Sequence, residues 1–370
     1  VRPVRIVVDG RMLAWTGIGR YTTHLLAELA ELDGSNEYLV LLRREQAATW
    51  RPPGANVGAV VAEAPPYSLA EQRLLPGVIR RLAPDLVHFP HFTVPIGCRV
   101  PFVVTVHDLT MQRVRNVVGF APARRLRYEV KFHVGRMVAR AAVHRARHVL
   151  VPSRWTADQL AAAFGAPPGG MTVTYEAPGV LTARPEPVTG VGGRFVLFVG
   201  NAYPHKNLQV VLDALGLLGP GHDDVRLVVA GRPDAFQRAL QARVASGPLA
   251  ARVAFPGAVS DGQLVWLYRH ATCFVFPSLS EGFGLPGLEA MAHGLPVAAA
   301  RASCLPEIYG EAAAWFDPFD PRSLASVLAS VLDDPQRRAA LVAAGTERVA
   351  RYSWRATAEQ TLDVYRRALA

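Results

Sequence analysis

Cysteine is scarce in this 370-residue chain: Cys98, Cys273 and Cys304 are odd in number, far apart and outside any CxxC or Cys/His spacing. That argues against a disulfide framework or a thiolate zinc site and makes a reducing, cytoplasmic setting the expectation. No apolar stretch approaches the roughly 18 residues of a membrane span. The opening Val1–Asp9 runs into a strand-like pattern without the apolar core of an export signal, so neither a span nor an export signal is expected. No Asp-x-Asp follows a strand-like run, and Asp223-Asp224 and Asp333-Asp334 fall in polar turns where solvated acids are the ordinary reading, so no metal and no cofactor is expected. The six Trp form no stacking ladder, and Trp15, Trp266 and Trp315 read as core or rim residues. Charged residues make up 19%, and Gly and Pro are near average, which excludes collagen-like repetition and wholesale disorder.

Charge is present in excess, and the excess is local. The chain carries 40 Lys and Arg against 30 Asp and Glu, a net +10. Residues 99–154 alone hold 12 Lys and Arg against Asp108 and Glu129. Leu126, Val130, Val134, Met137, Val138 and Ala141 recur there at helical spacing, which predicts an amphipathic helix with a basic face that includes Arg124, Arg125 and Arg127. A solvated surface helix and attraction to an anionic membrane or phosphorylated lipid both fit. Nucleic acid is disfavoured, since no helix-turn-helix, zinc-finger or RNP pattern accompanies the charge.

Short apolar, β-branched runs alternate with helical stretches: Val4–Val8, Tyr38–Leu42, Leu86–Phe89, Phe102–Val106 and Val149–Val151, then Phe195–Val199, Val225–Ala230, Arg252–Phe255, Cys273–Phe276 and Val297–Ala300. Alternation of this kind predicts buried parallel strands with crossover helices, an α/β fold of two doubly wound, Rossmann-like halves. The Pro- and Gly-dense stretch 178–193 is the expected linker between an N-terminal domain at 1–177 and a C-terminal domain at 194–354. In open sheets of this kind ligands bind beyond the carboxyl ends of the strands, and the unusual residues fall there.

After Cys273–Phe276 comes Pro277-Ser-Leu-Ser-Glu281-Gly-Phe-Gly-Leu-Pro-Gly-Leu-Glu289, a Gly-rich turn opening a helix. Backbone N–H groups of Phe283, Gly284 and Leu285 at that helix start could bind a diphosphate, with glycines allowing close approach. Glu281 could face a sugar and Glu289 a ribose diol, although an acid near a helix start is also favoured by the helix dipole alone. In the first half, Asp9-Gly-Arg-Met-Leu-Ala-Trp-Thr-Gly17-Ile-Gly19 follows a strand, and Gly17 and Gly19 could let a ligand approach the backbone. A dinucleotide fingerprint would place a third Gly where Thr22 stands, which disfavours NAD. His107-Asp108 ends another strand-like run, where His107 could serve chemistry or be satisfied by backbone, and His91 could enter an acceptor site.

Glu281-x7-Glu289 within EGFGLPGLEAMAHGLPV resembles the signature of the family-four retaining glycosyltransferases of GT-B architecture, and the resemblance runs along nearly the whole chain. Gly200-Asn-Ala-Tyr-Pro-His-Lys206-Asn is similar to that family's phosphate loop, which implies that Lys206 binds the donor diphosphate, with Asn201 and His205 beside it. Many members carry an Arg early in this loop; here Asn201 and Ala202 stand instead, so either the second cation comes from elsewhere, Arg20 or His205 being candidates, or donor phosphate binding is weaker than usual. The strand ends at Gly231 and Val259 resemble those that flank the nucleotide base. The resemblance further implies that His107 lies beside the donor sugar and that the last helix, 355–370, packs back on the first domain; with no Asp-x-Asp after a strand, catalysis is expected to need no metal. It implies transfer of a hexosyl group from a nucleotide-diphosphate sugar to an acceptor hydroxyl. GDP-mannose is the first expectation for the donor and a UDP-hexose the second. The acceptor is expected to be a sugar or a lipid-linked acceptor at the inner face of the cell membrane, where the protein would be peripheral, a soluble acceptor being the alternative. A non-catalytic basic membrane- or nucleic-acid-binding module is the reading from another class.

Overall fold

The computed structural model describes residues 3–110 and 122–370, apart from the side chains of 122–124. The chain forms two compact units, one of Val1–Glu176 with Ser353–Ala370 and the other of Ala177–Tyr352.

The first unit is built on a parallel sheet in the order β3-β2-β1-β4-β5-β6-β7. Its strands are β1 (Arg5–Asp9), β2 (Glu37–Leu42), β3 (Val57–Val61), β4 (Leu86–Phe89), β5 (Phe102–Thr105), β6 (His148–Val151) and β7 (Met171–Val173). Strands β4 and β5 are buried on both faces, and their mostly apolar runs admit only His88 and Thr105 as polar residues. Helix α1 (Thr16–Leu32) follows β1, and α2 (Arg44–Ala47), α3 (Leu69–Leu82), α4 (Pro122–Arg145) and α5 (Arg154–Phe164) connect the later strands. The apolar core runs from Val7 and Val87 through Phe89, Phe102 and Val104 to Val143 and Leu160.

The second unit repeats the plan with the order β10-β9-β8-β11-β12-β13. Its strands are β8 (Phe195–Val199), β9 (Arg226–Ala230), β10 (Val253–Gly257), β11 (Cys273–Phe276), β12 (Val297–Ala300) and β13 (Ala313–Phe316). Its helices are α6 (Leu208–Leu217), α7 (Ala235–Ala245), α8 (Asp261–His270), α9 (Leu285–Ala292), α10 (Leu305–Tyr309), α11 (Pro321–Asp333) and α12 (Pro335–Val349). Helix α13 (Trp354–Leu369) returns to the first unit and packs on α1, where Trp354 stacks on His24 with ring centroids 4.9 Å apart.

Segment 178–193 carries no regular element and lies on the second unit: Glu186 N–H donates to the Gly262 carbonyl at 3.0 Å. Three edge or near-edge strands, β3, β7 and β13, join the ten that the sequence pattern marks. The amphipathic expectation for α4 is corrected. Leu126, Val130, Val134 and Met137 form a stripe that is 49–67% exposed, while Ala139, Ala142 and Val143 face the core. The most regular apolar spacing thus marks a face turned to solvent, and small side chains serve the buried one.

Candidate active site

In both sheets the strand order reverses once, at β1/β4 in the first unit and at β8/β11 in the second. Loops leaving adjacent strands in opposite directions open a crevice at such a point, which is where α/β sheets bind ligands.

In the second unit the loop after β8 carries Lys206 in a short 3-10 turn, Pro204–Lys206, and the loop after β11 carries Glu281. The two loops are joined by Leu279 N–H donating to the His205 carbonyl at 2.8 Å. Lys206 Nζ lies 2.5 Å from Glu281 Oε1, with the ammonium 5.8 Å from the centre of the Phe276 ring. Glu281 N–H is in turn held by Ser303 Oγ at 3.2 Å. Asn201 Oδ1 accepts from Tyr203 N–H at 3.4 Å, so Asn201 shapes the phosphate loop, and the His205 ring leans on Tyr203. Val259, half-buried, follows Gly257 at the end of β10.

Helix α9 starts after Gly284, which has φ +94°, and Pro286 occupies its first turn. The first N–H groups of a helix have no intrahelical acceptor, so those at Gly284 and Leu285 head an axis with partial positive charge. The glycines also have a packing reason. A Cβ on Gly284 would lie 2.7 Å from the Tyr309 hydroxyl, and one on Gly287 2.3 Å from it. The glycines make room for Tyr309, whose hydroxyl donates to the Gly284 carbonyl at 2.5 Å and ties the loop to α10. Phe283 is buried with its ring edge-on to Tyr352. Glu289 is the fifth residue of α9, so it is no first-turn acid. It is only 4% exposed, with the Tyr268 hydroxyl 3.5 Å from Oε2.

In the first unit His107 follows β5 and its Nδ1 lies 2.8 Å from Glu176 Oε1. An ionised carboxylate only accepts, so Nδ1 carries the hydrogen and Nε2 is the free end of the ring. Nε2 is buried and has no hydrogen-bond partner among the described residues. The Tyr21 ring packs edge-on against His107 at 4.7 Å. Asp108 accepts from Thr110 N–H at 2.7 Å. His91 lies after β4, its Nε2 3.3 Å from the Tyr67 hydroxyl. Burial pushes its pKa down to about 3, with the nearby His107 charge acting the same way, so it is neutral at pH 7.

Gly17 and Gly19 differ. Space beyond Gly17 is open, whereas a Cβ on Gly19 would meet the Leu13 carbonyl at 2.1 Å, so Gly19 serves the packing of α1 on its own entry loop. Arg125 and Arg127 are exposed on α4, and the Arg124 side chain lies outside the described residues.

Sequence reasoning missed Glu176, Tyr309 and a buried ion cluster. Glu176 follows β7, 69 residues from His107, and only the sheet order brings them together. Arg11, 1% exposed, holds Asp9 by two bonds of 2.8 and 2.6 Å and Glu71 by one of 2.8 Å. The strand-end triplet Asp9-Gly-Arg11 was the one available hint.

Two α/β units, each built on a parallel sheet whose strand order reverses once, are the architecture of the GT-B fold. Residues 15–177 match the model of Glycosyltransferase Family 4, and residues 182–348 that of Glycosyl transferases group 1. The chain belongs to the family-four glycosyltransferases. It is 33% identical over 290 residues to a D-inositol 3-phosphate glycosyltransferase of Acidothermus cellulolyticus, a match spanning 73% of this chain and 63% of that relative. It is 27% identical over 312 residues to O-antigen chain mannosyltransferase B of Escherichia coli, covering 81% of this chain and 79% of that protein. The solved structure of sucrose-phosphate synthase from Thermosynechococcus elongatus superposes with a TM-score of 0.77 at 20% identity, over 99% of this chain and 98% of that one.

Proposed function

We propose that this enzyme moves a hexosyl group, mannosyl in first place, from a nucleotide-diphosphate sugar to an acceptor hydroxyl, with retention at the anomeric carbon. The observation that carries this reading is the meeting of Lys206, Glu281 and the start of α9 at the β8/β11 reversal. As the bond from the anomeric carbon to the diphosphate breaks, negative charge grows on the leaving phosphate. The Lys206 ammonium and the N–H groups at 283–285 then bind the transition state more tightly than the ground state. Glu281 holds both the lysine and sugar hydroxyls, and buried Glu289 takes the ribose diol. For His107, which Glu176 orients, the family resemblance implies a role toward the donor sugar. The acceptor oxygen bonds to the anomeric carbon while its proton passes to the departing phosphate, as the family resemblance implies, so no enzyme nucleophile is assigned.

The Pro-His-Lys-Asn loop and the mannosyltransferase relative favour GDP-mannose; a UDP-hexose is the second donor. The acceptor we favour is lipid-linked. Support comes from α4, whose exposed Leu126, Val130, Val134 and Met137 are interleaved with exposed Arg125, Arg127 and Lys131. A helix with an apolar stripe among cations suits the surface of an anionic bilayer. No helix among the described residues is long and apolar enough to cross a membrane.

The test is calorimetric titration with GDP, UDP, ADP and dTDP, with and without EDTA, on the wild type and Glu289→Gln, followed by transfer assays with the sugar nucleotide of the base that binds. One diphosphate should bind without metal and lose affinity in the variant. Absence of binding by all four would remove the donor-site reading.

A further inference from the structure

On the first unit, residues from four strand ends converge at the β1/β4 reversal. Trp15 lies between β1 and α1, Tyr67 between β3 and α3, His91 after β4, and Asp108 after β5. Trp15 and Tyr67 stack, with ring centroids 6.0 Å apart and planes within 10°, yet they stay 43% and 55% exposed. Exposed aromatics scattered singly need no explanation. These two are not scattered: they are built into place.

Tyr67 has φ +61°, a left-handed conformation that costs free energy for any side chain but glycine and persists only when its surroundings impose it. The imposing group is Glu71, whose Oε2 accepts from Tyr67 N–H at 3.0 Å while Oε1 accepts from Arg11. Arg11 is anchored in turn by Asp9 at the end of β1, and by the Ala64 carbonyl in the segment leading to Tyr67. A buried charge cluster thus fixes the backbone that presents an exposed ring. The Tyr67 hydroxyl then meets His91 Nε2 at 3.3 Å, leaving His91 Nδ1 buried and without a partner among the described residues. The Asp108 carboxylate is close enough for its charge to act on Tyr67.

We infer that Trp15, Tyr67 and His91 form a subsite for one pyranose ring of the acceptor. The class of ligand follows from the chemistry. A pyranose has apolar C–H faces and a rim of hydroxyls that both donate and accept. The Trp15–Tyr67 stack offers flat apolar area rigid at low entropic cost. His91 Nδ1 has capacity for one hydrogen bond whichever tautomer it holds, and a hydroxyl can supply either half of that bond. Asp108 adds an acceptor for a second hydroxyl. Neither an extended alkyl chain nor a bare phosphate would use this combination, since the first leaves His91 unmet and the second faces a carboxylate. The inference rests on the transferase reading above and adds to it the chemical nature of the acceptor and the residues that select it.

The experiment is NMR of the tryptophan indole N–H groups in the full chain, with Trp15 assigned by its loss in Trp15→Phe. Methyl α-D-mannopyranoside, methyl α-D-glucopyranoside and methyl β-D-galactopyranoside are each titrated to about 100 mM, well into the weak range expected of a monosaccharide. At least one should shift the Trp15 signal saturably. Tyr67→Ala should weaken that affinity at least tenfold, and Trp15→Ala, followed through the remaining indoles and by calorimetry, should do the same. Tyr67→Phe, which keeps the ring and loses the bond to His91, should retain most of it. GDP and UDP titrated into the same samples should bind all variants like the wild type. If a nucleoside diphosphate binds and no glycoside does, or glycosides bind Tyr67→Ala unchanged, the subsite is wrong while the transferase reading stands. If neither class binds, both fall.

Discussion

Lys206 Nζ stands 2.5 Å from Glu281 Oε1, and each side chain is about 15% exposed, so before any anion arrives the lysine's charge is already answered by a carboxylate. A diphosphate entering there gains the ammonium and meets the repulsion of Glu281. The two residues should therefore separate when changed. Lys206→Ala removes a charge-assisted bond worth about 1.5–3 kcal/mol and should weaken binding of the preferred nucleoside diphosphate roughly 10- to 100-fold. Glu281→Gln should keep or raise that affinity while transfer falls, because the sugar loses its acceptor and the lysine its fixed position. Calorimetry and initial rates on the same preparations check this; parallel losses of nucleotide affinity in both variants would refute it.

His107 gains its orientation from Glu176 across 2.8 Å. In Glu176→Gln the amide can donate to Nδ1 and so reverse the ring's hydrogen, turning Nε2 from acceptor to donor. Turnover should drop at least tenfold, with the KM for the donor changed by less than about threefold, since the carboxylate acts through another residue. Glu176→Asp, which keeps the charge, should recover part of the loss. A Glu176→Gln enzyme with wild-type turnover would show that the pair is structural only.

The fold was legible because buried parallel strands write themselves as unbroken apolar runs, as Phe195–Val199 and Cys273–Phe276 do. Edge strand Val57–Val61 went unmarked because Gly58 and Ala59 thin its apolar run and its alternate positions face solvent. The donor loops were legible because Lys206 and Glu281 each directly follow a run. Their pairing was not, since 75 residues separate them and only the strand order joins the loops. The glycines at 284 and 287 were visible, but Tyr309, which explains them, sits a strand and a helix away. Helix α4 misled for a physical reason: its exposed face carries the large apolar side chains and its core face the small ones.

Arg11 is charged, 1% exposed and bound to two carboxylates, Asp9 and Glu71. Removing it leaves two buried acids with no cation between them, the costly way to break such a cluster. Arg11→Met, which keeps much of the side-chain volume, should lower the unfolding free energy of the first unit by about 3–5 kcal/mol. Asp9→Asn combined with Glu71→Gln in that background should restore part of it by removing the stranded charges. Urea unfolding of the three proteins, followed by far-UV circular dichroism, measures both effects; a loss below about 1 kcal/mol for Arg11→Met would mean the cluster is better solvated than its burial indicates.

His88 makes two buried contacts, Nδ1 with the Tyr365 hydroxyl at 2.6 Å and Nε2 with Thr105 Oγ1 at 2.8 Å, and so pins α13 to the first sheet. Burial, with a smaller push from the charge of His107, lowers its pKa from 6.5 to about 3. Between those values the unfolded chain takes up a proton that the folded chain refuses. This contribution to stability is therefore whole above pH 6.5 and declines as pH falls toward 3, by about 1.4 kcal/mol per pH unit well inside that window. In His88→Gln the amide can keep one of the two bonds but does not titrate. The variant should be less stable at pH 7.5, yet its stability should fall less steeply between pH 6 and pH 4.5. His91, depressed to about 3 as well, continues to titrate in both proteins and so cancels from the comparison. Urea midpoints at four pH values across this range give the two slopes, and equal slopes would mean that His88 already carries a proton in the folded protein.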